Sequence, residues 1–447
     1  MRLLIIGGGP AGHAAASASA TLGTAVTIIE DTVIGGAAHL LDCIPSKAMA
    51  ASSMRISAIR NAGRLGINDV GKVELDMAVL AKHLRSISAT IEKSMVDLLE
   101  SQGVDMIRGR GRLTGAHTAI AETDQGEIEI EFDKVLLSTG SRPWVPGWAD
   151  LDERVFTTRG VYSLPEQPEH IVVVGSGVTG VEMVHIFSSL GSKVTLVVSR
   201  HQVLPYRDAE VAAVLEEAFL ERGVSLLKGS RASRIDRTAD GVVVHTEDGR
   251  RVEATHCLLA VGAVPNSKNL GLEKAGVDTD RGYISVDEHN VTNVSHIYAA
   301  GDVCGELPLS SVATMQGRKI ARHAVDYAVV PLDYGKVAQA IFTEPEIASV
   351  GLEEVHAASE GRKVRITKVP LAANARALIQ GNPHGFVKVI SDPATRIVLG
   401  GTVVGHHASE LIAPIALAVT AHLRVDVLLE TLMVHPSLVE SIAEAAE

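Results

Sequence analysis

Four apolar residues, Leu3 to Ile6, run straight into Gly7, Gly9 and Gly12. Small and apolar positions then follow at helical spacing as far as Leu22-Gly23, and a second apolar run, Val26 to Ile29, closes at Glu30. The same order recurs without a gap at residues 171–198: an apolar run Ile171 to Val174, then Gly175, Gly177 and Gly180, a helical stretch ending at Leu190-Gly191, and a strand that closes at Val198. A short apolar run bounded by glycine reads as a buried strand and the 3.6-residue period behind it as a helix. The chain therefore predicts one β-α-β unit twice. In each copy the G-x-G-x-x-G turn lets the backbone fold tightly and approach a pyrophosphate, whose charge meets the open N–H groups of the helix start. Two dinucleotides are expected.

The rest of the pattern orders the domains. Residues 47–103 carry helical periodicity, and residues 104–132 read as short strands broken at Gly111, Gly115 and Gly126. Val135 to Leu137 form an apolar run ending in Ser138-Thr139-Gly140, and a Pro- and Trp-bearing linker (Pro143 to Trp148) marks a boundary. A matching run, Cys257 to Val261, ends at Gly262, with Pro265-Asn266 behind it. His296 to Asp302 then returns the chain to the first domain. Beyond residue 331 strands and helices continue without a phosphate loop. The expected fold is α/β: a Rossmann-like domain at 1–147 completed by 267–330, a second at 148–266, and an α+β domain at 331–447.

The two copies differ at the end of the second strand. Glu30 can accept both hydroxyls of an adenosine ribose. Val198 cannot, and the residues behind it, Ser199, Arg200 and His201, suit a 2′-phosphate. NADPH is expected over NADH at the second unit, although an exposed arginine is also an ordinary surface residue.

Composition narrows the partners. The 447 residues hold 41 Lys+Arg against 53 Asp+Glu, a net charge of −12 that argues against nucleic acid and points to small molecules. Three cysteines, Cys43, Cys257 and Cys304, are too few and too scattered for a disulfide scaffold or a metal site, which suggests a cytoplasmic protein. The most apolar stretch, Leu411 to Leu423, falls short of the roughly 18 to 20 residues that span a bilayer.

Taken together, Gly7 to Gly12 with Glu30, Gly35-Gly36 leading to Cys43-Ile44-Pro45-Ser46-Lys47, Thr139-Gly140, Gly175 to Glu182, Gly262, Gly301-Asp302, and His435-Pro436-Ser437 with Glu440 resemble the flavoprotein disulfide reductase family, to which lipoamide dehydrogenase and glutathione reductase belong. The resemblance covers essentially the whole chain. It implies FAD in the first domain, a nicotinamide dinucleotide in the second and a homodimer made by the last. It also implies that Gly36, Ala37, Thr139, Gly140 and Asp302 line the flavin site, with Asp302 on the ribityl chain. Ser310 would open a helix whose N-terminus faces the flavin N1–C2=O edge, where negative charge gathers on reduction. Lys47 and Glu182 match the family's ion pair beside flavin N5. His435, oriented by Glu440, matches a histidine that reaches the partner's active site.

One departure redirects the reading. Where the family has a redox pair in C-x-x-x-x-C, this chain runs from Ala38 to Cys43, so the local disulfide cannot form. Electrons on the flavin must leave directly to an acceptor that reaches the ring, and the segment Gly35 to Ala38 with a lone Cys43 resembles the family's NAD(P)H quinone reductase branch. Cys43 precedes an expected helix from Pro45, whose N-terminal field would favour a thiolate; it is equally readable as a small apolar residue. His435 could protonate a quinone oxygen or merely stabilise an interface, with Pro436 expected in the first turn of a helix that carries Glu440. A transhydrogenase, a single-cysteine peroxidase using Cys43 and a non-catalytic flavoprotein subunit are the alternatives.

Overall fold

The computed structural model describes residues 1–68, 71, 73 and 75–447, with Arg64 by its backbone alone. The chain divides into two compact units, residues 1–46, 81–144 and 262–332 forming the first and 47–80, 145–261 and 333–447 the second.

The first unit is built on a parallel sheet in which strand Arg2–Ile6 lies between Lys134–Leu137 and Ala25–Glu30, with Ile297–Ala299 and Asp105–Arg108 at the edges. Alternation sorts the central strand: Leu3 and Ile5 pack with Ala11, Ala15 and Ile320 on one face, Leu4 and Ile6 with Leu113, Ala119 and Ala121 on the other. Helices Pro10–Thr21 and Ser310–His323 cover the first face and cross very closely. A Cβ at Gly317 would lie 2.2 Å from the Ala11 carbonyl oxygen. A three-stranded antiparallel sheet, Arg110–Leu113, Thr118–Thr123 and Gly126–Glu131, covers the second.

Two expectations are corrected here. The strand break falls at Gly109, and Gly111 sits inside a strand, because a Cβ there would come 2.8 Å from the Ile6 side chain of the sheet beneath. The helical span 47–103 is interrupted: helix Ile44–Arg60 and the turn Ala62–Leu65 end at Gly66, which adopts φ +81°, and helix Met77–Ser101 starts anew. Positions 69, 70, 72 and 74 of that span lie outside the described residues.

The second unit repeats the parallel sheet, with His170–Val174 between Lys193–Val198 and His256–Leu259, flanked by Ser225–Lys228 and Val155–Thr157. Its later part is a five-stranded antiparallel sheet, in the order Gln339–Ile341, Glu346–Gly351, Val398–Gly405, Phe386–Ser391 and Arg365–Pro370. The C-terminal helices, among them Ala413–Thr420 and Glu440–Glu444, pack their Ile415, Ala418 and Ile442 into its core. Lys388 of the strand Phe386–Ser391 is fully buried. Its ammonium donates to Asp208 and, at 2.7 Å, to Glu210, both at the start of helix Ala209–Glu221. No helix among the described residues is long and apolar enough to cross a membrane.

Candidate functional site

In the first unit the turn after strand Arg2–Ile6 is shaped by what its glycines leave out. Gly7 adopts φ +104°, and a Cβ at Gly12 would stand 2.0 Å from the Gly7 carbonyl oxygen, so neither position admits a side chain. Helix Pro10–Thr21 starts behind Gly9 with no side-chain cap, leaving its first N–H groups for an anion. Glu30 ends the next strand and is 8% exposed. Its Oε2 accepts the Gly8 N–H at 2.6 Å, and its Oε1 accepts the Thr32 N–H at 2.7 Å and hydroxyl at 2.5 Å. The carboxylate is thus held beside the turn with acceptor capacity remaining on Oε2, the kind of group to which a ribose hydroxyl donates.

Gly36 is buried against this turn, with a Cβ built on it meeting the Gly9 Cα at 2.5 Å. Ala37 precedes a wide-turned helical segment, Ala38–Cys43, that passes directly into helix Ile44–Arg60. The expectation that Cys43 stands before an open helix start is therefore corrected: the N–H groups around it already belong to a helix, and the field it was meant to feel begins at Ala38. Cys43 is partly exposed. Among the described residues no cysteine forms a disulfide, and burial pushes the Cys257 and Cys304 thiols up to about 12.

Thr139 and Gly140 are pinned by Asn266: the Thr139 hydroxyl donates to the Asn266 carbonyl at 2.8 Å, and the Asn266 N–H to the Gly140 carbonyl at 2.9 Å. The Gly262 carbonyl accepts the Trp144 N–H at 2.9 Å. Asp302 lies in the turn Gly301–Val303, accepting the Ser141 hydroxyl at 2.7 Å. Ser310 is the first residue of helix Ser310–His323, which also lacks a side-chain cap.

The second unit repeats the turn. Gly175 adopts φ +111°, a Cβ at Gly180 would lie 1.8 Å from the Gly175 carbonyl oxygen, and helix Val178–Leu190 starts uncapped behind Gly177. Ser199, Arg200 and His201 follow the strand Lys193–Val198 with exposed side chains. One turn into the helix, Glu182 is buried and paired with Lys47, Nζ to Oε2 2.7 Å. Its second oxygen accepts the Phe342 N–H at 3.0 Å, and the Lys47 ammonium sits 5.0 Å from the centre of the Phe342 ring. Sequence reasoning missed Phe342, because a backbone donor 160 residues from its acceptor leaves no local pattern.

It also missed His185, fully buried three residues beyond Glu182. Burial first, then the Arg222 charge, drives this imidazole down to about 3, so it is neutral. An arginine can only donate, so Nδ1 accepts from Arg222 at 3.0 Å and Nε2 carries the hydrogen that faces Ser53 Oγ at 3.4 Å.

His435 and Glu440 come together as expected, Nδ1 to Oε1 2.8 Å, with the histidine side chain 75% exposed. The helix does not start at Pro436. Residues 432–439 are irregular and the helix is Glu440–Glu444, because the other Glu440 oxygen accepts the Ser437 N–H at 2.8 Å and closes a loop ahead of it. That bond first, then His435, holds the Glu440 carboxyl below its usual range. The carboxylate fixes the imidazole with Nδ1–H inward and Nε2 toward solvent.

Residues 1–317 match the family described as pyridine nucleotide-disulphide oxidoreductase, and residues 337–446 match its dimerisation domain. An NAD(P)H dehydrogenase (quinone) of Mycobacterium tuberculosis is 43% identical over all of this chain and 93% of its own length. A dihydrolipoyl dehydrogenase of Chlamydia muridarum is 34% identical over 99% of this chain and 95% of its own. Among solved structures, LpdA of Mycobacterium tuberculosis superposes with a TM-score of 0.95 at 43% identity, covering 100% of this chain and 99% of that one. RclA of Escherichia coli, a HOCl-induced flavoprotein disulfide reductase, gives 0.90 at 25% identity over 100% and 99%.

Proposed function

Because the chain belongs to the pyridine nucleotide-disulphide oxidoreductase family and is an FAD-dependent NAD(P)H oxidoreductase, we propose that it passes electrons from NADPH through FAD to a quinone-like acceptor without a redox disulfide. One observation carries the reading: the Lys47–Glu182 pair is intact at 2.7 Å, while Ala38 stands where the dithiol needs a second thiol. The quinone dehydrogenase name of the 43% identical relative supports it.

FAD supplies the two-electron carrier. Gly7, Gly9 and Gly12 receive its pyrophosphate on the uncapped helix start, Glu30 its ribose and Asp302 its ribityl chain, with Gly36, Ala37, Thr139 and Gly140 around it and Ser310 at the N1–C2=O edge. Gly175, Gly177 and Gly180 receive the NADPH pyrophosphate, Ser199 and Arg200 its 2′-phosphate, and Gly262 lies beside the nicotinamide half. In this assignment 1–147 with 267–330 bind FAD, 148–266 bind NADPH and 331–447 make a homodimer. Lys47 and Glu182 polarise the ring at N5. His435, with its tautomer fixed by Glu440, protonates the acceptor from the partner chain, and Cys43 stands near the ring as a spectator. The protein works in the cytoplasm.

The purified enzyme should reduce menadione with NADPH and leave lipoamide nearly untouched. Rapid lipoamide turnover would overturn the proposal, and preferred reduction of an NAD analogue or of peroxide would move it to a transhydrogenase or a peroxidase. Arg200→Ala should raise the NADPH KM about tenfold through the loss of one charge-assisted hydrogen bond and leave the NADH KM unchanged. Equal KM values for both cofactors in the unaltered enzyme would remove the 2′-phosphate assignment.

A further inference from the structure

The segment Ala38–Cys43 carries a titratable side chain for which nothing above has a use. His39 is half-buried in the first unit, and its Nδ1 lies 3.3 Å from the hydroxyl of Ser310. Ser310 is the first residue of a 14-residue helix without a side-chain cap. With Nδ1–H donating to the serine oxygen, the hydroxyl hydrogen stays free for an acceptor bound at the helix start, and Nε2 is the basic nitrogen.

The surroundings keep the imidazole neutral in the resting protein. Burial lowers its pKa from the ordinary value of 6.5, and the positive end of the helix opposes a proton in the same sense. From helix Pro10–Thr21 it is faced by His13, whose pKa is lowered first by burial and also by His39, so a proton on one ring opposes a proton on the other. His13 also bonds the Met95 backbone. Helix Met77–Ser101 presents Ser88, whose hydroxyl donates to the Leu40 carbonyl at 2.7 Å and fixes the segment, and Asp42 follows on the segment itself. A negative charge appearing at the start of the Ser310 helix would act against this balance, since Coulomb attraction across a few ångströms is only partly screened at a half-buried site.

We propose that His39 is the proton-holding residue of the flavin site, taking a proton at Nε2 when the flavin receives its two electrons and releasing it when they leave. This rests on the reading that places the flavin N1–C2=O edge at Ser310. The balance closes without another reactant. NADPH delivers two electrons and one proton as hydride, and a second proton comes from solvent to His39. A quinone then takes the hydride equivalent together with one proton by way of His435, while His39 returns its own proton to solvent, so hydroquinone and NADP result. His39 is a positioning residue here: it compensates the charge through Ser310.

The test uses the FAD-loaded protein under anaerobic conditions at neutral pH. In weakly buffered solution with an indicator dye, reduction by NADPH should take up about one proton per flavin in the unaltered protein and almost none in His39→Gln, which can still bond Ser310 but cannot titrate. The midpoint potential of the flavin should fall about twice as steeply with pH in the unaltered protein as in the variant, because each further proton per two electrons adds the same increment. Ser310→Ala keeps the imidazole and should give a partial loss of uptake. Equal uptake and equal slopes in all three proteins, with normal flavin content and normal reduction by NADPH, would overturn the role of His39 alone. A protein that binds no FAD, or whose flavin NADPH does not reduce, would overturn the underlying reading as well.

Discussion

Lys388→Met is expected to destabilise the protein by about 3–5 kcal/mol, the loss typical when one partner of a buried ion pair is removed. The ammonium is fully buried between Asp208 and Glu210, with Glu354 at 3.4 Å, and methionine would leave the buried Asp208 carboxylate without its cation and facing two partly exposed ones. Desolvation on its own would raise the Asp208 and Glu210 pKa values. Hydrogen bonds overcome it and hold both below the usual range, from Lys388 first at Asp208 and from Lys368 ahead of Lys388 at Glu210. Their contribution is present above pH of about 4 and fades as pH falls through the depressed folded values. Lys388, raised by its two partners against desolvation, contributes below about pH 10 and loses this as pH climbs through its folded pKa. The gap between variant and unaltered protein should therefore be widest between those limits. Urea unfolding across that range reads it directly. Adding Asp208→Asn and Glu210→Gln should recover much of the loss, and a deficit below about 1 kcal/mol for the single change would contradict the account.

Glu182→Gln should slow reduction of the flavin by NADPH about a hundredfold, the usual consequence of removing one preorganised charge from a reacting centre. Glu182 does two things at once: it anchors Lys47 at 2.7 Å, and it ties helix Val178–Leu190 to Phe342 through the other oxygen. Glutamine keeps the second bond and gives up the ion pair, so folding should be retained while the ammonium loses its fixed place. Anaerobic stopped-flow bleaching of the flavin gives the rate. The NADPH dissociation constant separates a chemical effect from a binding effect. A variant reduced as fast as the unaltered enzyme would show that the pair is structural only.

What the chain discloses before folding is whatever depends on near neighbours. Both glycine turns, the strands beside them and Glu30 are legible because each is one short run of residues with one local job. The helical segment Ala38–Cys43 is not, since a wide turn and a tight one carry the same apolar spacing over six residues. Pro436 suits a helix start, yet the helix waits until Glu440 because a side chain three residues on captures the Ser437 N–H. Phe342 on Glu182, Arg222 on His185 and Lys388 on Asp208 join residues 160, 37 and 180 positions apart. Nothing in the intervening chain announces such partners. Gly111 is the instructive middle case: its smallness is visible, but only the sheet beneath explains it as a point of contact rather than a break.

The crossing of helices Pro10–Thr21 and Ser310–His323 has a kinetic meaning. With the Gly317 backbone lying on Ala11 and only small side chains such as Ala15 and Ala313 packed beside that point, the two rods have little to slide on and are expected to move as one plate. In the proposed assignment that plate grips the cofactor at two remote points, the pyrophosphate through one helix start and the ring through the other. Neither grip can loosen while the other holds. Dissociation then has no partly released way-station, and the lifetime of the bound flavin becomes the lifetime of the plate itself, set by how often this part of the fold opens and not by the strength of any single contact.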